Sequence, residues 1–85
     1  MYDDTTVTRV TGSVLALAAA EVPLEDAMAE LVLATGQDRG LLRAAAGRVS
    51  RGALAAPDVR ERALRLLAAA GHPAAGRFAP TRRAS

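Results

Sequence analysis

The 85-residue chain contains no cysteine, lysine, isoleucine, asparagine or tryptophan, and has one histidine (His72), one phenylalanine (Phe78) and one tyrosine (Tyr2). Without cysteine there is no disulfide, no thiolate nucleophile and no Cys-ligated zinc. A single histidine builds neither a His-rich metal site nor a His-relayed triad within one chain. The expectation is therefore a non-enzymatic protein with no cofactor and no metal. The glycines at 36, 40, 47 and 52 form neither a GxGxxG nor a GxxxxGK[ST] string, so no phosphate-cradling loop is expected.

Long apolar runs are also missing. The longest charge-free stretch that could enter a membrane, Val10 to Ala20, has eleven residues, against about 20 for a spanning helix. A leader peptide fits poorly, because Asp3 and Asp4 oppose Arg9 where a positive segment belongs and the apolar stretch from Val14 is short. The expected location is the cytoplasm. No internal repeat is evident.

What is present is alanine, 21 residues of it, together with 11 Leu, 7 Val and 2 Met. A domain of this mass has roughly 4,800 Å² of folded surface against roughly 12,800 Å² extended, and few of its apolar side chains are large. A monomer is then marginally stable, and self-association is expected.

Glycine and proline divide the chain at Glu21-Val22-Pro23, Gly36-Gln37-Asp38, Gly52 to Pro57 and Gly71-His72-Pro73, which predicts four helices and a tail. In the first segment the β-branched run Thr5 to Thr11 suits a short strand as well as a helical turn. Val7, Val10, Val14, Leu17 and Ala18 share one helical face, and a lone strand has no partner, so helix is preferred. The second helix opens at Pro23 with Glu25 and Asp26 at the positive end of its dipole and Gly36 as C-cap. Its core stripe is Leu24, Met28, Leu31 and Thr35, widened by Ala27, Val32 and Ala34. The third runs from N-cap Asp38 to about Leu54, ending near Gly52 if its glycines weaken it. It buries Leu41, Leu42, Ala45, Ala46, Val49 and Ala53, with Arg39, Arg43, Arg48 and Arg51 opposite. The fourth opens at Pro57 with Asp58 and Glu61 at capping-box spacing, buries Val59, Ala63, Leu66, Leu67 and Ala70, and stops at Gly71. The expected fold is all-α, a compact three- or four-helix bundle over residues 1–72, followed by a flexible, disordered basic tail over 73–85.

Charge is unevenly placed. Residues 1–37 hold six acids and Arg9, whereas residues 38–85 hold ten arginines against Asp38, Asp58 and Glu61. Arginine is favoured by the same compositional bias that removes lysine, so its abundance alone says little. Arg39, Arg43, Arg48 and Arg51 are candidates for phosphate contacts. The bland alternative is neutralisation: Asp58 with Arg62 and Glu61 with Arg65 at i, i+4, and Asp26 or Glu30 accepting Arg39 or Arg43 from the next helix. Asp26 and Glu30 lack a third ligand for a cation. His72, just after Gly71, suits capping or exposure better than catalysis. A helix-turn-helix fits badly, because Val32 stands where a small residue belongs and Gln37 where an apolar anchor belongs.

Leu33 projects from the polar side of the second helix beside Ala29, between Asp26 and Glu30, and Leu54 falls off the third helix's stripe. In a chain short of core, such residues suggest an interface. Phe78, beside Arg77 and ahead of Arg82 and Arg83, is a candidate docking residue in the tail. The functional expectation is a protein-interaction module, self-associating or bound to a protein partner, an adaptor or regulator that contacts a partner through Ala29, Leu33, Leu54 and Phe78. The alternative is a small nucleic-acid-binding regulator using the Arg-rich face.

Overall fold

A computed structural model describes residues 3–52 and 55–72. The chain is all-α, with four helices among these residues: α1 (Asp4–Ala19), α2 (Leu24–Thr35), α3 (Arg39–Arg51) and α4 (Pro57–Ala70). Leu54, Ala53, Phe78 and the rest of the tail lie outside the described residues.

The Thr5 to Thr11 run is helical. Asp3 caps α1 by accepting from the Thr6 peptide N–H at 3.0 Å. The β-branched hydroxyl inside the helix is satisfied locally: Thr11 Oγ1 donates to the Val7 carbonyl at 2.7 Å while buried. Thr35 repeats the arrangement on α2, donating to the Leu31 carbonyl at 2.7 Å. Both threonines therefore enter the core without an orphaned polar atom.

Gly36 takes the left-handed conformation at φ 62° and closes α2 with its N–H on the Val32 carbonyl at 2.7 Å. Gln37 follows at φ 60°, a second left-handed residue, and Asp38 then caps α3 by accepting from the Leu41 N–H at 3.2 Å. α3 ends at Arg51 with Gly52 as its cap, short of Leu54.

α1 and α4 form the centre of the bundle and each packs on all three other helices, whereas α2 and α3 barely touch. The core is Val7, Val10, Val14 and Ala18 from α1, Ala27, Met28, Leu31 and Val32 from α2, Leu41, Leu42, Ala45 and Val49 from α3, and Ala63, Leu66, Leu67 and Ala70 from α4. Ala18, Ala27, Ala45, Ala63 and Ala70 are fully buried, so the helices approach over small side chains.

Three details differ from the sequence-based expectation. Leu24 is 61% exposed, because α2 begins at that residue and Val22, in the preceding turn, packs on the core instead. Ala34 is exposed as well. Asp58 is not an N-cap: Ala56 holds that position with Pro57 inside the helix, so no capping box forms with Glu61.

Candidate functional site

The seven described arginines of the second half separate into two groups, and most of them are committed to the fold. Arg48 forms an ion pair with Asp4 and donates from Nη1 to Thr8 Oγ1 at 2.7 Å, tying α3 to α1. Arg62 does not pair with Asp58; its Nη1 donates to the Ala18 carbonyl at 2.6 Å, satisfying the C-terminal end of α1. Arg60 does the same for α3 through the Gly52 carbonyl at 3.2 Å. Arg65 pairs with Glu61 at 3.2 Å, as the i, i+4 spacing suggested. Arg51 lies back along its own helix over Gly47, its Nη1 3.4 Å from where a Cβ would stand.

Arg39 and Arg43 are different. Both are exposed on α3, one turn apart, and neither meets a carboxylate among the described residues. The expected acceptance by Asp26 or Glu30 does not occur, because α2 and α3 barely touch. Below the two arginines runs an open groove of about 430 Å³ between α3 and α4. Leu42 and Ala46 form one wall, Leu64, Leu67 and Ala68 the other, and Gly71 and His72 the end. At Gly71 an added Cβ would meet Leu42 Cδ1 at 3.6 Å, so the groove floor there is already in contact.

The groove's end is held by Gln37. Its Nε2 donates to the Ala70 carbonyl at 3.3 Å and to the His72 carbonyl at 3.0 Å, pinning the α2–α3 turn onto the end of α4. The His72 N–H donates to the Ala69 carbonyl at 3.0 Å, which places this residue at the helix terminus as its sequence position suggested. Gln37, Arg60 and Arg62 went unnoticed as structural residues in the sequence, since a backbone carbonyl acceptor leaves no residue signature.

Of the candidate interface residues, Leu33 is 59% exposed on α2 and Ala29 is half-buried beside it. Leu54 and Phe78 lie outside the described residues. The arginine set is split: Arg39 and Arg43 rim the groove, Arg48 is bound to α1, and Arg51 lies beyond the groove lining. A smaller cleft of about 300 Å³ between α1 and α2 has Glu30 as its only ionisable lining residue among those described. No group of three potential metal ligands occurs among the described residues, and no helix there is long and apolar enough to cross a membrane. Compared with known proteins, the chain matches no protein-family model, no curated protein and no solved structure.

Proposed function

We propose that this chain is a small, non-enzymatic protein-interaction module of the cytoplasm, an adaptor or regulator, whose α3–α4 groove receives an acidic amphipathic helix. The observation that carries this is the pairing of an apolar floor with two arginines that no carboxylate of the described chain neutralises. An apolar side chain on the incoming helix covers the half-buried Leu64 and Ala46 and the exposed Ala68, above the already buried Leu42 and Leu67, and carboxylates one turn apart meet Arg39 and Arg43. Burial supplies affinity, and the charges fix orientation and exclude basic helices. Nucleic-acid binding is less well supported. A phosphate backbone has no use for the apolar floor, and Asp4 already occupies Arg48.

The test is direct binding of an Ala-rich synthetic helix carrying one Leu flanked by Glu residues one turn apart, with mixed-sequence duplex DNA as the competitor class. The expected result is micromolar binding of the peptide, lost in Arg39→Glu/Arg43→Glu. Duplex binding with a log-log salt slope of about −0.9 per phosphate contact, and no peptide binding, would transfer the function to nucleic acid.

A further inference from the structure

We propose that the helix received by the groove is α2 of a second copy of this chain. The inference rests on the groove being a docking site for an acidic helix, and it names the occupant. On α2, Asp26, Ala29, Glu30 and Leu33 fall within about 100° of arc, and Leu33 stands 59% exposed among them. Asp26 and Glu30 are four residues apart, and so are Arg39 and Arg43. At 1.5 Å rise per residue both pairs are spaced by about 6 Å, so two ion pairs form together when the helices lie side by side. Among the described residues neither pair is neutralised by the other: α2 and α3 barely touch, and Gln37 holds the turn between them onto α4. The two unsatisfied halves of one contact thus sit on the same polypeptide. The chain's own residues 73–85 are a poorer occupant by charge, since Arg77, Arg82 and Arg83 would face Arg39 and Arg43.

Acidic ridge meets basic groove, so copies can either chain head to tail or exchange the two patches in a closed, isologous pair. The proposal is the closed pair. Leu33 lies one turn before Gln37, whose amide is bonded to Ala70 and His72 at the groove's end. Ridge and groove therefore share one end of the bundle, which favours an exchange of α2 faces about a two-fold axis with the contact made twice.

The experiment is complementation by sedimentation equilibrium. Leu33→Glu spoils the ridge and leaves the groove; Arg39→Glu/Arg43→Glu spoils the groove and leaves the ridge. All three positions are exposed, and circular dichroism verifies that each variant stays helical. Each variant alone is expected to self-associate at least about tenfold more weakly than wild type, and an equimolar mixture to form a heterodimer through the one intact contact. A second arm combines Asp26→Arg/Glu30→Arg with Arg39→Glu/Arg43→Glu in one chain and is expected to restore the homodimer. A wild type that is monomeric at every concentration overturns the inference, and binding of the synthetic acidic peptide then shows that the groove itself still docks a helix. A mixture that stays monomeric while wild type dimerises also overturns it, because the interface must then lie elsewhere or pair a patch with itself.

Discussion

Gln37 Nε2 donates to the His72 backbone carbonyl at 3.0 Å across thirty-five positions of sequence. The same nitrogen reaches the Ala70 carbonyl, so one side chain satisfies the C-terminal end of α4 from the α2–α3 turn. It does so from a left-handed backbone, φ 60°, that a non-glycine residue adopts at a cost of about 1 kcal/mol.

Gln37→Ala keeps the backbone cost and loses both bonds, so urea denaturation is expected to show a loss of about 1–2 kcal/mol. Gln37→Gly removes the backbone cost as well as the bonds and is expected to lose less than Gln37→Ala. Equal stability of Gln37→Ala and wild type would show that these long-range bonds contribute nothing.

Arg62 and Arg65 stand three residues apart on α4 with opposite fates. Arg62 satisfies the Ala18 carbonyl of another helix, while Arg65 meets Glu61 in a surface pair with both side chains largely exposed. Arg62→Ala is expected to cost about 1 kcal/mol or more, and Arg65→Ala under about 0.5 kcal/mol. Thermal melts of the two variants side by side check the ranking.

The glycines divide by conformation. Gly12 is exposed on the outer face of α1 with nothing within 4 Å of an added Cβ, so Gly12→Ala is expected to raise stability by up to about 1 kcal/mol. Gly36 also has open space, but its φ of 62° penalises any side chain. Gly36→Ala is therefore expected to lower stability by about 1 kcal/mol. The opposite signs, read by urea denaturation, separate backbone conformation from crowding.

Hydrogen bonds from Thr6, its side chain first and then its peptide N–H, hold the Asp3 carboxyl below the ordinary aspartate value. The lowered value means that the ionised form is favoured by the folded helix. Its stabilisation is present above the unfolded-state value and is lost as pH falls through the lowered folded value. Amide protection in the first turn of α1, taken relative to the intrinsic exchange rate at each pH, is expected to fall on acidification through that range, and Asp3→Asn is expected to blunt the effect.

Periodicity was enough to show which faces of the four helices are buried, because burying Val14, Leu31, Val49 and Leu66 is the principal driving force available to so small a chain. Local punctuation was equally legible: Gly36 and Asp38 do what their residue types do at helix ends. Leu24 was misplaced because periodicity carries no information about where a helix begins. The groove was half legible. Arg39 and Arg43 stand out on the polar face of α3, yet their separation from Arg48 depends on α1 crossing close enough for Asp4 and Thr8 to capture it. The wall supplied by Leu64 and Leu67 depends on how α4 lies against α3. These are tertiary facts, as are the carbonyl acceptors of Gln37, Arg60 and Arg62.

The central claim is that the α3–α4 groove receives an acidic helix, and amide chemical-shift mapping during titration with the Leu- and Glu-bearing synthetic peptide tests it most directly. The account expects the shifts to concentrate at residues 39–46 of α3 and 64–72 of α4, and to disappear in Arg39→Glu/Arg43→Glu. Shifts centred on α1 or on the α1–α2 cleft, with α3 and α4 unmoved, would contradict it.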